Sequence, residues 1–145
     1  MTQPKSYESQ PILVVDDSED DFYATERALG KANLHNPIAH ASSGESALEW
    51  LKSKTNPKPG LILLDLNMPG IDGRKTLEII KHNGALKSIP VVILTTSDDE
   101  RDVEACYALG ANTYIQKPVD FDGLIEAMKR LKGYWFEIAL LPKEG

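Results

Sequence analysis

Three apolar runs and one mixed, strand-like run in this chain end on residues able to handle phosphate and metal. Pro11-Ile12-Leu13-Val14-Val15 leads into Asp16-Asp17, Leu61-Ile62-Leu63-Leu64 into Asp65, Pro90-Val91-Val92-Ile93-Leu94 into Thr95-Thr96, and Asn112-Thr113-Tyr114-Ile115-Gln116 into Lys117-Pro118. Two negative charges ~4 Å apart repel by about 4 kcal/mol at an effective dielectric of ~20, equivalent to roughly three pKa units. Three carboxylates gathered at one edge therefore call for a cation. Mg²⁺ suits them, because it takes oxygen ligands octahedrally from one or two carboxylates, retained waters and a phosphate oxygen. Asp17 and Asp65 are read as direct ligands and Asp16 as a ligand through water. The backbone carbonyl of Asn67, where the chain turns before Met68-Pro69, could be another. Lys117 offers a point charge to a carboxylate or a phosphoryl oxygen, and the Thr95 hydroxyl a hydrogen-bond donor. A carboxylate can itself be the nucleophile in phosphoryl transfer, the surrounding groups positioning it and neutralising charge.

For these residues to meet, the runs must lie side by side. Apolar stretches of this length bounded by turn residues read as strands buried on both faces of a parallel sheet, and such sheets hold ligands at the carboxyl ends of their strands. The intervening segments supply the helices. Asp17 to Asn33 predicts a helix with Phe22, Thr25, Leu29 and Ala32 inward. A short strand, Pro37 to Ala41, follows, and Ser42-Ser43-Gly44-Glu45 starts a helix presenting Ala47, Leu48 and Leu51. A helix from about Asp72 would bury Leu77, Ile80 and Gly84. Ser97-Asp98-Asp99-Glu100 matches a capping box and opens a helix with Val103, Cys106, Tyr107 and Gly110 on one face. The last helix begins near Asp120 and aligns Leu124, Met128, Leu131, Trp135 and Ile138. Five strands alternating with five helices give an α/β fold, a doubly wound parallel sheet with right-handed crossovers.

The 145 residues fit one domain. Residues 1–10 read as a flexible tail, 11–132 as the folded domain, and 133–145 as an apolar extension of the last helix and a C-terminal tail. Net charge of −6 disfavours nucleic acid and anionic membranes as partners. A single cysteine rules out an internal disulfide, and no stretch has the length or leader of a membrane span or signal peptide, so the expected location is cytoplasmic. His35, His40 and His82 lack metal-ligand spacing and read as structural or exposed. Cys106 reads as a small helix residue facing the core.

Asp16-Asp17, Asp65-x-Asn67-Met68-Pro69-Gly70-x-Asp72-Gly73, Thr95 and Lys117-Pro118 together resemble the signature of the response-regulator receiver domains of two-component signalling, over about Gln10 to Lys132. The resemblance implies a flavodoxin-like sheet in the order 2-1-3-4-5 and a phosphoryl group accepted by Asp65 from a phosphohistidine on a sensor histidine kinase. Mg²⁺ would be held by Asp17, Asp65 and the Asn67 carbonyl, with Asp16 assisting. Thr95 would move to contact the phosphoryl group, Lys117 would bind it, Tyr114 would occupy the aromatic switch position, and Lys117-Pro118 would be cis. Val119 departs from the pattern, since many members carry an aromatic there. The chain stops soon after the last helix, which leaves no room for a DNA-binding output domain. The Asp16-Asp17-Ser18-Glu19-Asp20-Asp21 run and the apolar tail are similar to small single-domain regulators paired with bacterial phytochrome kinases, whose last helix helps form a homodimer. Tyr134, Trp135, Phe136 and Leu140 are the candidate interface, because a helix apolar on all faces is normally buried.

The leading expectation is thus a phosphorylation-driven switch, not an enzyme. A Mg²⁺-dependent aspartyl phosphohydrolase would want a carboxylate two residues after the nucleophile, where Asn67 stands and cannot shuttle a proton. A nucleotide-binding module would want a glycine-rich phosphate cradle, and neither common form occurs. A phosphorylation-independent scaffold is the remaining alternative.

Overall fold

A strand that is apolar at every position needs cover on both faces, and the fold supplies it. The computed structural model describes residues 10–138, with side chains through Trp135. In chain order the elements are β1 (Ile12–Val15), α1 (Glu19–Lys31), β2 (Ile38–Ala41), α2 (Gly44–Lys52), β3 (Leu61–Leu64), α3 (Gly73–His82), β4 (Val91–Thr95), α4 (Glu100–Ala108), β5 (Thr113–Gln116) and α5 (Phe121–Lys132), followed by a π-helical stretch over Gly133–Ile138. The strands form one sheet in the order β2-β1-β3-β4-β5, every pairing parallel. This is the order the resemblance implied.

Successive side chains of a strand point to opposite faces, and the core divides accordingly. Leu13, Val15, Ile62, Leu64, Val91 and Ile93 pack with Ala47 and Leu48 of α2, Leu77 and Ile80 of α3, and Cys106 of α4. Ile12, Val14, Leu61, Leu63, Val92 and Leu94 pack with Phe22, Ala28 and Leu29 of α1 and Leu124, Met128 and Leu131 of α5. Each helix starts on a side chain that accepts a backbone N–H: Ser18, Ser43, Asp72, Asp99 and Asp120. Such caps satisfy one of the orphan donors of the first turn and are worth about 1 kcal/mol each.

Several local expectations give way to packing. The cap of α4 is Asp99, because the Ser97 hydroxyl is committed elsewhere, donating to Asp102 at 2.8 Å and accepting from the Asp99 N–H at 3.3 Å. Of the face expected on α4, Cys106 is buried, Val103 is partly covered, and Tyr107 and Gly110 are exposed. The helix ends at Ala108, and Gly110 takes φ +106°, a turn conformation that suits glycine. Leu51 is only half-buried, and α3 stops at His82, so Gly84 is exposed while Leu86 and Ile89 fill the layer. Gln10, expected in a tail, is buried, and its carbonyl accepts from Asn36 at 2.8 Å; residues 1–9 lie outside the described residues. No peptide bond among the described residues is cis, so Lys117–Pro118 is trans, contrary to expectation. Trans is the lower-energy X–Pro isomer by about 0.5–1 kcal/mol.

Candidate functional site

The register of the sheet decides what meets at its carboxyl edge. Val15 of β1 pairs with Leu64 of β3, and Leu64 with Ile93 of β4. The next residues, Asp16 and Asp65, therefore emerge side by side. β4 ends on Thr95, which pairs with Gln116 of β5, so Lys117 follows at the same edge. The Lys117 N–H donates to the Thr95 carbonyl at 2.6 Å.

Asp16, Asp17 and Asp65 each bring a carboxylate oxygen into a cluster no more than 4.8 Å across. Asp16 and Asp65 are buried, at 3% and 7% exposure, and Asp17 is exposed. The Asn67 side chain lies at the surface, and the Asn67 backbone N–H donates to Asp65 Oδ1 at 3.4 Å. Lys117 Nζ stands 2.7 Å from Asp16 Oδ2, 3.0 Å from Asp21 Oδ2 and 3.6 Å from Asp65 Oδ2. Burial pulls the Lys117 pKa down, but the hydrogen bond to Asp16 and the charges of Asp65 and Asp16 outweigh it and hold the ammonium above its ordinary range. Burial pushes the Asp16 carboxyl up, more than Lys117 and the Ser18 N–H pull it down, and the Asp65 charge adds to the rise. One lysine thus leaves the cluster under-neutralised, and a hard divalent cation fits that all-oxygen donor set.

Thr95 is fully buried, and its hydroxyl has no hydrogen-bond partner among the described residues. A buried hydroxyl without a partner carries a desolvation cost of about 1–3 kcal/mol. Tyr114 is partly buried and donates its hydroxyl to the Ser97 carbonyl at 2.9 Å, while its own N–H donates to the Tyr107 hydroxyl at 3.1 Å. Ser97 in turn bonds Asp102, and Arg74 of α3 pairs with both Asp102 and Asp72. The loop after β4 is thereby tied to the N-terminus of α3.

Tyr134 is 56% exposed, whereas Trp135 is buried in the chain's own core, so only the former presents a free face. The Phe136 side chain and Leu140 lie outside the described residues. Three contributors were not singled out as site residues in the sequence. Asp21 is a further carboxylate on Lys117; its signal was its place in the acidic first turn of the helix that follows Asp16-Asp17. His40, read as structural or exposed, places Nε2 2.9 Å from the Asp16 carbonyl oxygen and stacks on Phe22 with ring centroids 3.9 Å apart. Gly73 passes so close to Asp65 that a Cβ would lie 2.2 Å from the Asp65 carbonyl oxygen.

Known proteins resemble this chain in sequence and fold. The family model for the response regulator receiver domain matches residues 12–129. Response regulator Rcp1 of Synechocystis sp. is 38% identical over 144 residues, which cover 94% of this chain and 98% of Rcp1. The phosphorylated cyanobacterial phytochrome response regulator RcpA superposes with a TM-score of 0.86 at 33% identity, over 93% of this chain and 99% of that one. The Mn²⁺-bound form of Rcp1 superposes at 0.83 with 37% identity, over 92% and 99%. With the acidic cluster, the lysine and the buried threonine at the ends of a sheet in this order, the chain belongs to the response regulator receiver family.

Proposed function

We propose that the chain works as the phosphoryl-accepting switch of a phosphorelay, with Asp65 as the acceptor. What carries this reading is the convergence on Asp65 of a charged lysine, 3.6 Å away, and a buried hydroxyl without a partner at the neighbouring strand end. An Asp65 oxygen attacks the phosphorus of a phosphohistidine; the P–O bond forms, the P–N bond breaks, and its electron pair returns to the imidazole. Lys117 meets one oxygen of the transferred group, and Thr95 donates to another. Asp17, Asp65 and the Asn67 carbonyl would hold Mg²⁺, with Asp16 assisting through water; the bound ion would spread the negative charge of the group in transfer. As the Thr95 hydroxyl engages, the loop that follows it shifts, and Tyr114 must release the Ser97 carbonyl, which changes the surface of α4 and β5. The phosphoryl group selects between two conformations rather than building a new one.

The donor in this reading is a sensor histidine kinase of the phytochrome class, in the cytoplasm, supported by the likeness to RcpA. The protein accepts a group once per cycle and is not a turnover enzyme. A second copy is the further partner: Tyr134 is exposed beside an apolar groove of about 510 Å³ lined by Ile115, Ala127, Leu131 and Trp135. The phosphohydrolase reading is disfavoured by Asn67, which offers no proton-shuttling carboxylate.

Intact mass after incubation with a small-molecule phosphodonor and Mg²⁺ tests the chemistry. One phosphoryl gain in the wild type, absent in Asp65→Asn and lost with a chelator, is expected. No gain with either this donor or a phosphorylated kinase would leave the scaffold alternative.

A further inference from the structure

We infer that Asp21 is a positioning residue for Lys117, holding the ammonium at the rim of the site until a phosphoryl group displaces it. The inference rests on Asp65 being the phosphoryl acceptor, as proposed above. An ammonium has three N–H donors and no acceptor. In the unphosphorylated chain Asp16 takes one at 2.7 Å and Asp21 another at 3.0 Å, while Asp65 stands back at 3.6 Å, beyond hydrogen-bond reach. The lysine is therefore drawn toward the β1 and α1 side, off the acceptor oxygen. A phosphoryl group on Asp65 brings a dianion to the third N–H, and drawing the ammonium across from the β1 and α1 side stretches one of the two existing contacts.

The two partners are unequal. The Asp16 side chain is 4% exposed and is also held by the Ser18 N–H at 3.0 Å, so losing the lysine would leave a buried carboxylate short of a donor. The Asp21 side chain is 50% exposed, and water can take the lysine's place there. Asp21 is the partner that releases. Its place follows from α1: the Ser18 cap accepts the Asp21 N–H at 3.2 Å and fixes the first turn, which aims the carboxylate back over the strand ends. The cap uses the backbone of Asp21, so changing the side chain leaves it intact.

Asp21 thus competes with the phosphoryl group for Lys117. Removing its charge should favour the phosphorylated state, and it should do so through this bond rather than through net charge alone. Asp20, exposed in the same turn, makes no ion pair with Lys117 and provides the charge-matched control. The test is the affinity for beryllium trifluoride, a non-covalent stand-in for the phosphoryl group, titrated in Mg²⁺ for the wild type, Asp21→Asn, Asp20→Asn and Asp21→Glu. The folded state of each is checked by circular dichroism. Asp21→Asn is expected to bind about two- to fivefold more tightly than Asp20→Asn, the worth of one half-exposed ion pair, with Asp21→Glu returning toward the wild type. Equal affinities for the two Asn variants would overturn the inference, as would Asp21→Glu behaving like Asp21→Asn. Phosphoryl uptake by the wild type is followed in parallel by intact mass. If the wild type takes up neither group, the Asp65 reading falls with the inference; if it takes up both and the variants match, only the inference falls.

Discussion

Thr95 and Cys106 show how much a single buried group can carry. The Thr95 hydroxyl is held out of water without a partner. Thr95→Val, which exchanges the hydroxyl for a methyl, should therefore leave the unphosphorylated chain as stable or more stable by about 1 kcal/mol in urea denaturation. The same variant should still gain a phosphoryl group by mass but lose the accompanying change around Tyr114, read from tyrosine resonances. A loss of stability would mean that the hydroxyl is satisfied in solution. Cys106 acts through pH. Burial pushes its thiol from 9.0 up to about 11, so the folded state keeps the proton longer than the unfolded one does. Stability from this group is complete below pH 9.0 and is lost as pH rises toward about 11, a loss of about 2–3 kcal/mol. Lys117, also raised from its ordinary 10.5, adds a loss of the same sign further up. Urea midpoints measured upward from pH 9.0 should fall in the wild type and stay flatter over the first part of that range in Cys106→Ala.

Between residues and fold stand the element junctions, and the turn from β3 into α3 presses backbone against backbone. Asp72 caps α3 by accepting the Lys75 N–H at 3.0 Å, and Gly73 N–H donates to the Leu66 carbonyl at 3.1 Å. The helix start is thereby pressed onto the segment that carries Asp65. A Cβ on Gly73 would meet backbone, with the Asp65 carbonyl oxygen at 2.2 Å and the Leu66 Cα at 2.7 Å, and neither can swing away as a side chain would. Gly73→Ala should cost about 1–3 kcal/mol, in the range of an overpacked core, and should slow phosphoryl uptake because the strain falls on the acceptor residue. Denaturation midpoints and intact-mass time courses measure the two effects. Unchanged values in both would show that the turn relaxes. The five-residue spacing from Met68 to Gly73 was legible as a turn and a helix start in the sequence. The closeness of Gly73 to Asp65 was not, because it depends on how α3 lies against the sheet.

At the scale of the whole molecule, charge and apolar surface set the expected behaviour. Asp16, Asp17 and Asp65 repel one another, and Lys117 offsets only part of that. Mg²⁺ that binds the folded chain alone should stabilise it by about 2.7 kcal/mol at a hundred times its dissociation constant. Thermal melting with and without a chelator measures this increment, and Asp17→Asn should shrink it while making the metal-free chain no less stable. An increment surviving in Asp17→Asn would place the ion elsewhere. The proposed second copy is tested by sedimentation. The wild type should run as a dimer, and Tyr134→Glu, which sets a charge beside the apolar groove, should shift it toward monomer. A wild type that stays monomeric at high concentration would remove the interface.

The sequence by itself determined the strands, the helices and the polar residue at the end of each buried strand. These are written in local patterns: apolar runs in β1, β3 and β4, shorter mixed runs in β2 and β5, a cap, then a period near that of the helix. A residue's place in such a pattern depends on its near neighbours, so Asp16, Asp65, Thr95 and Lys117 could be assigned to one edge once parallel pairing was assumed. The tertiary structure alone decided which groups touch there. Lys117 reaches Asp16 across 101 residues and Asp21 across 96, separations in sequence closed by the sheet order and by how α1 packs against α5 rather than by any local preference. Packing also exposed Tyr107 and left the Thr95 hydroxyl without a partner among the described residues. Local sequence chooses the elements because their energies are local; contacts between distant residues are set by the shape of the assembled core, and that shape belongs to the chain as a whole.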